Sequence, residues 1–240
     1  MDGTRTFLIG RDQVAVVDPG PDVETHIRAL SLALGSAREI RILLTHGHSD
    51  HAGAACGLAQ QTGASLLAPP SYQPPEGYGL TVETLTEGAR VSTDEGDLVA
   101  LGIPGHTRDH LAYHWVEAGA LFVGDLVLGR GDTTWIGEYP GCVKDFLNSL
   151  DKVEALEVAV LFPSHGPPIS SPARTLGRYR RHRLERLEEV RAARQNHPEA
   201  DSVELAGMIY GSEIPSKLVK AAKASVDVAL FHLDQQEVSD

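Results

Sequence analysis

Short apolar runs separated by turn residues fill the first two thirds of the chain. Phe7-Leu8-Ile9-Gly10 and Val14-Ala15-Val16-Val17 flank the turn Gly10-Arg11-Asp12-Gln13 and predict a strand pair, ended by Asp18-Pro19-Gly20. A helix is expected from roughly Val23 to Leu34, stopped by Gly35. Ile40, Ile42, Leu43 and Leu44, broken only by Arg41, read as a buried strand. The small residues after His51 open a helix running to about Gln61 and ending at Gly63. Ser65-Leu66-Leu67-Ala68 is a short strand stopped by Pro69-Pro70, and residues 71 to 80, with Pro74, Pro75, Gly77 and Gly79, predict a mobile loop. Thr81 to Ala100 predicts short antiparallel strands with turns at Glu87-Gly88 and Glu95-Gly96. Further apolar runs follow at Leu98–Leu101, Leu111–Val116, Leu121–Val123 and Val158–Phe162.

The last third changes period. Arg174 to Gln195 reads as one long helix with Leu176, Tyr179, Leu184, Leu187 and Val190 inward. Asn196-His197-Pro198 breaks it. Asp201 and Glu204 form a capping box for a short helix to Tyr210. Pro215 opens a last helix with Val219, Ala222, Val226, Leu230 and Leu233 on one face. The expected division is a catalytic domain over residues 1–195, closed by the Arg-rich helix 174–195, and a helical appendage over 196–240.

The strand ends carry the chemistry. After Leu44 comes Thr45-His46-Gly47-His48-Ser49-Asp50-His51, three imidazoles and a carboxylate within six residues. Imidazole and carboxylate are ligands for zinc-like divalent ions, and a metal holds crowded histidines neutral. A solvated loop would explain one such histidine but not this spacing. Zinc takes about four ligands, so other strands must supply the rest. Ile103-Pro104-Gly105-His106, Phe122-Val123-Gly124-Asp125 and Pro163-Ser164-His165-Gly166 each place a ligand directly after an apolar run. The expected arrangement is His46, His48 and His106 on one ion and Asp50, His51 and His165 on the other, with Asp125 between them. Asp18, ending its own strand, is either a turn residue or a carboxylate supporting a ligand histidine. His110 stands close to His106 and is expected behind the ligands or against substrate. His26, His182, His197 and His232 are expected to be exposed.

Composition narrows the partners. The 240 residues are 42% hydrophobic, enough for one substantial core. No apolar run reaches membrane-spanning length, and Met1-Asp2-Gly3-Thr4-Arg5 lacks a signal-peptide segment. Cys56 and Cys142 are too few for a disulfide framework, which makes the cytoplasm the expected compartment. The net charge of −12 is uneven: residues 1–173 hold ten Lys and Arg against twenty-two Asp and Glu, while residues 174–194 hold eight Arg against three Glu. The bulk disfavours a nucleic-acid partner. The arginine-rich segment is the exception, either a solvated helix face or a phosphate contact.

Together Thr45-His46-x-His48-x-Asp50-His51, Gly105-His106-Thr107, Gly124-Asp125 and Ser164-His165-Gly166 resemble the full motif set of the metallo-β-lactamase superfamily. The resemblance implies an α/β fold, the αββα four-layer metallo-β-lactamase sandwich, with metals at one edge of two facing sheets. Asp125 stands where zinc β-lactamases of the main group carry Cys, which is similar to the thioesterase, lactonase and RNA-cleaving branches. Asp18-Pro19-Gly20-Pro21, Pro104-Gly105-His106-Thr107-x-x-His110 and the Tyr179–Arg186 segment with His182-Arg183 resemble the lactamase-like branch that includes a mitochondrial endoribonuclease. That branch carries a small C-terminal winged-helix-like appendage. The implied enzyme is a hydrolase holding two Zn2+, with Mn or Fe also compatible with the ligands. A bridging hydroxide would attack the substrate, with Asp50 as the catalytic residue that orients it and takes its proton. Trp135 and Tyr139 are expected to wall the cleft, unless they simply pack. A small ester, thioester or lactone is the favoured substrate, with single-stranded RNA as the alternative. A redox member serving a flavoprotein would need a flavodoxin-like segment after residue 173, where the pattern is helical. The appended helices would suit a homodimer.

Overall fold

The computed structural model describes residues 3–211 and 214–237. The first sheet is ordered β1-β2-β3-β4-β5: β1 Phe7–Ile9, β2 Gln13–Val17, β3 Glu39–Leu43, β4 Ser65–Ala68 and β5 Val82–Thr84. Only β1 and β2 are antiparallel; β2 to β5 run parallel, joined by α1 Glu24–Leu34 and by α2 Ser49–Ala52 with α3 Ala55–Thr62. The second sheet is ordered β10-β9-β8-β7-β6: β6 Arg90–Thr93, β7 Gly96–Gly102, β8 Leu111–Trp115, β9 Ala120–Gly124 and β10 Val160–Pro163. Here only β9 and β10 are parallel. Between them lies α4 Cys142–Glu154, and α5 Pro172–Asn196, α6 Ser202–Tyr210 and α7 Ser216–Glu237 complete the chain.

Strand alternation builds the layers. On β2, Val14 and Val16 face α1 and α3, while Ala15 and Val17 face the other sheet. On β3, Ile40 and Ile42 join the first group and Leu43 the second. The space between the sheets is closed by Leu67, Leu98, Ala100, Leu111, Tyr113 and Phe122. The outer face of the second sheet packs Leu121, Val123 and Leu161 against α4, α5 and α7. This is the αββα sandwich.

Several details depart from the sequence pattern. The strand β5 is not antiparallel to its successors; it adds to the first sheet, parallel to β4. The amphipathic α4, with Cys142, Val143, Phe146, Leu150 and Val153 buried, lies just past a glycine-rich stretch that hides its start. On α5, Leu184 points outward at 46% exposure and Arg183 is enclosed instead. His232 is buried rather than exposed, and His26 is half-buried with Nε2 at 2.9 Å from the Pro19 carbonyl. The capping box of Asp201 and Glu204 is present. Among the described residues no strand follows β10, so the C-terminal region is helical. No helix among them is long and apolar enough to cross a membrane.

Candidate metal centre

Because β7 and β9 run in the same direction and β10 lies parallel to β9, the chain leaves all three at one edge of the second sheet. The end of β3 meets that edge, where Leu111 N–H donates to the Thr45 carbonyl at 2.8 Å. Ser164 N–H donates to the Gly124 carbonyl at 3.1 Å and holds the last two ligand turns together. Gly124 has φ 53°, and a Cβ there would come within 2.5 Å of His110 and 2.9 Å of Thr45, so no side chain fits.

The four ligand-bearing turns converge. His46, His48 and His106 form one group, Asp50, His51 and His165 another, and His46, His51 and Asp125 share a third. His46 Nε2 and His106 Nε2 lie 2.9 and 3.1 Å from His48 Nδ1. Asp125 Oδ2 sits 3.6 Å from His51 Nε2, 3.7 Å from His106 Nε2 and 3.5 Å from His165 Nε2, between the two groups. Asp50 Oδ2 is 3.3 Å from His165 Nε2 and 3.5 Å from His51 Nε2.

The opposite nitrogen of four of these rings is tied to an oxygen. His51 Nδ1 meets Asp18 at 2.9 Å, His106 Nδ1 the Trp135 carbonyl at 2.9 Å, and His165 Nδ1 the Gly3 carbonyl at 3.0 Å. A carbonyl or carboxylate oxygen only accepts, so Nδ1 is the protonated nitrogen and Nε2 carries the lone pair. Thr45 Oγ1 donates to Asp18 at 2.7 Å and is therefore left to accept from His46 Nδ1 at 3.0 Å. Asp18 is fully buried. It also accepts from Thr45 N–H at 2.8 Å and Ser164 Oγ at 3.1 Å, and its backbone is left-handed at φ 49°. Asp18 thus supports ligand turns from both sheets, as expected of a carboxylate behind a metal.

This donor set fits a divalent metal. Lone pairs aimed at one another about 3 Å apart need a cation between them, and that spacing is near the ~3.3 Å edge of a tetrahedron with zinc–nitrogen bonds of ~2.05 Å. His51 Nε2, His165 Nε2 and Asp125 Oδ1 are buried without a hydrogen-bond partner. Without metal, burial, reinforced by His110, His51 and His106, holds His46 well below the ordinary imidazole value. Burial also favours neutral His51, but Asp18 and Asp125 outweigh it and raise the group to about 10. The Asp125 and Asp50 carboxylates raise His165 to about 10 as well. Hydrogen bonding from His165 takes Asp50 down to about 2, against the opposing effect of burial. Positive charge is wanted on the Asp-rich side of the centre, and a divalent ion supplies it.

The remaining candidates separate. His110 is completely buried, stacks on His46 with ring centres 4.9 Å apart, and accepts from Asp125 N–H at 3.1 Å. It is packed behind His46 and enclosed from solvent. Trp135 is 38% exposed and lines a cavity of about 580 Å³ together with His106, Asp125, Leu128, Leu218 and Ala222. Tyr139 does not share that role: it is buried, donates to Asp145 at 2.9 Å and carries the Arg108 guanidinium over its ring. Tyr72 and Gln73, from the predicted loop, line a second, polar hollow with Gly47 and His48. The cavity walls from α6 and α7, including Tyr210, Leu218 and Ala222, escaped the sequence reading, because a core-facing and a cavity-facing apolar residue look alike in sequence.

Residues 2–165 match the family model described as the metallo-beta-lactamase superfamily. A Beta-lactamase-like protein 2 homolog of Caenorhabditis elegans is 30% identical over 240 residues, covering 97% of this chain and 79% of the relative. Among solved structures, the metallo-beta-lactamase family protein TTHA1429 from Thermus thermophilus aligns with TM-score 0.78 at 22% identity, covering 98% of this chain and 89% of that one. The protein TTHA1623 in a di-iron-bound form aligns with TM-score 0.55 at 26% identity over 72% of this chain and 90% of its own.

Proposed function

The chain belongs to the metallo-beta-lactamase superfamily and is a metal-dependent hydrolase, and on that premise we propose a binuclear zinc enzyme that hydrolyses a small ester, thioester or lactone. The observation that carries this reading is the apolar cavity opening against His106 and Asp125. Two zinc ions held by His46, His48, His106, Asp125, Asp50, His51 and His165 would acidify a water and polarise the substrate's carbonyl oxygen.

The protein's own residues do the rest. Leu128, Trp135, Leu218 and Ala222 offer apolar surface that shelters an acyl chain and excludes bulk water. The Asp50 side chain is 47% exposed while the rings around it are enclosed. Its free carboxylate edge would orient a water and accept its proton. Asp18, Thr45 and the Trp135 carbonyl hold the imidazoles in the tautomer that leaves Nε2 free.

Zinc is proposed over iron or manganese on the number of imidazoles, although mixed nitrogen and oxygen sites accept all three and TTHA1623 holds two irons. The ribonuclease alternative draws its support from the arginines of α5. Four of them are already engaged: Arg180 with Asp151, Arg186 with Glu189, Arg191 with Glu188, and Arg194 with Asp234 and Glu237. The net charge of −12 also repels a polyanion.

The test is a parallel assay of metal-quantified protein on a panel of thioesters, esters and lactones and on single-stranded RNA. Turnover of an acyl substrate with close to two zinc ions per chain is expected. Cleavage of RNA alone, or full activity with one ion, would overturn the reading.

A further inference from the structure

The cavity beside the metal ligands also takes His182, Arg183 and Arg186 from α5. Arg183 is only 6% exposed. Its Nη2 donates to the Thr134 carbonyl at 3.1 Å, and the guanidinium carbon lies 5.6 Å from the centre of the Phe146 ring. Nε is buried with no hydrogen-bond partner. Among the described residues no carboxylate lies within ion-pair distance of Arg183, whereas Arg180, Arg186, Arg191 and Arg194 on the same helix all have one. Its neighbour one turn along, Arg186, also lies at the cavity wall, over the Tyr210 ring at 4.5 Å, but its pairing with Glu189 at 2.6 Å leaves it the lesser contribution to the positive charge there.

A buried cation without an anion is costly, and so is a buried N–H without an acceptor. A fold keeps such a group where something else completes it. A guanidinium offers paired N–H donors in one plane, which match the oxygens of a carboxylate or a phosphate. Most of the remaining lining is apolar, with Leu128, Trp135, Pro215, Leu218 and Ala222 joined by the hydroxyls of Thr133, Thr134 and Ser225. We propose that Arg183, assisted by Arg186, is the anion-binding end of the substrate site, taking the carboxylate or phosphate of a small substrate whose apolar body lies along Trp135 and Leu218. The substrate class is then an anionic acyl compound with its charge away from the scissile bond. This rests on the hydrolase reading only for the position of the scissile bond; the anion site stands or falls by binding.

The experiment separates the two. Tryptophan fluorescence of the metal-loaded protein, with Trp135 in the cavity wall, reports binding of 4-phenylbutyrate, 3-phenylpropyl phosphate and the neutral 4-phenylbutanamide. Both anions, or one of them, should bind at least about tenfold tighter than the amide, and Arg183→Gln should erase that preference with metal content unchanged. Whichever anion gains more identifies the group. Arg183→Lys keeps the charge but loses the fork and should retain part of the preference. Arg186→Gln should weaken anion binding about threefold and serves as the second variant if Arg183→Gln unfolds. On esters, Arg183→Gln should raise KM for a carboxylate-bearing substrate and spare kcat, with little change for its neutral methyl-ester counterpart. An anion preference that persists in Arg183→Gln places the anion on the metals and overturns the proposal. An equal loss on charged and neutral esters makes Arg183 a clamp on the Thr134 loop and overturns it too. Tighter binding of single-stranded RNA than of either small anion, dependent on Arg183, would likewise overturn it. If no ester is turned over but the titration shows the preference, the hydrolase reading fails and the anion site remains.

Discussion

Two flanks of one cleft are built on opposite principles. The ligand flank is drawn from the ends of β3, β7, β9 and β10, and the outer nitrogens of His46, His51, His106 and His165 are each tied to an oxygen while their inner atoms face a common centre. The helical flank, from α5, α6 and α7, offers apolar surface and one buried guanidinium with an unpartnered nitrogen. The unpartnered atoms of the first flank, His51 Nε2, His165 Nε2 and Asp125 Oδ1 among them, cluster where a metal would sit, whereas Arg183 Nε on the second lies away from the ligands. The difference suggests a division of labour: strand ends fix the reaction, and the helical wall chooses what reacts. Strands fixed in hydrogen-bonded sheets hold ligands to within the tolerance a metal demands, whereas helices packed by side chains can change their lining without disturbing that geometry.

The largest effects should come from the ligand flank. Asp125→Ala should lose at least one metal ion per chain and lower kcat/KM by roughly a thousandfold or more, because one carboxylate serves both groups. The circular-dichroism spectrum should stay native, since the apolar layers do not include the ligands. Elemental analysis and a spectrum of the same sample decide this. A variant that keeps two ions, or one that unfolds, would break the assignment of this flank to chemistry.

Asp18→Asn probes the support rather than the ligand. Four donors converge on this carboxylate, including His51 Nδ1 at 2.9 Å and Thr45 Oγ1 at 2.7 Å. An amide can accept on one side only, so His51 loses its anchor and Thr45 can turn away from His46. Metal affinity should fall about ten- to a hundredfold, measured by competition with a chromophoric chelator. Unchanged affinity would mean that the strand ends alone set the geometry.

Trp135→Ala moves to the other flank while sparing the first. The Trp135 carbonyl accepts from His106 Nδ1, and a side-chain deletion leaves that carbonyl in place. What is lost is indole surface in the cavity and a 3.3 Å bond to the Ala221 carbonyl of α7. At about 25 cal/mol per Å² of apolar surface, kcat/KM for a long-chain acyl substrate should drop roughly tenfold, with a smaller loss for acetyl esters. Equal losses for both chain lengths, or a loss of metal, would blur the division between the flanks.

The same division explains what could be read before the fold was known. Ligand turns announce themselves because a strand must end where a metal needs a side chain, and an apolar run followed by Gly-His or Gly-Asp is a local pattern. Asp18 ends a strand in the same way, which left it open as a turn residue or a support until its buried hydrogen bonds to Thr45, His51 and Ser164 were seen. Partners of β5 were not readable, since an exposed three-residue strand, Val82–Thr84, carries no sign of which sheet it joins. Helix α5 misled in one respect. A 25-residue helix packed against α4, α6 and α7 has more than one buried face, so the leucine spacing placed Leu184 inside although Arg183 holds that position. An enclosed arginine in an arginine-rich segment has no local signature; only the three-dimensional lining of the cavity distinguishes it from its solvated neighbours.

The smallest effect should come from the outside of α5, and it tests the substrate class. Arg178 and Arg181 are exposed and do not line the cavity. If a small anionic acyl compound is the substrate, the double replacement Arg178→Gln with Arg181→Gln should leave kcat/KM within about twofold, because exposed charges are screened within a Debye length. Raising the salt concentration should then have the same shallow effect on both proteins. Single-stranded RNA would behave differently. Each phosphate contact contributes about −0.7 to the slope of log affinity against log salt, so losing two contacts would flatten that slope by roughly 1.4. A steep slope that flattens in the double variant would move substrate recognition from the cavity to the outer face of α5. The helical wall would then be a binding platform for a polymer, and the two flanks would no longer share one small cleft.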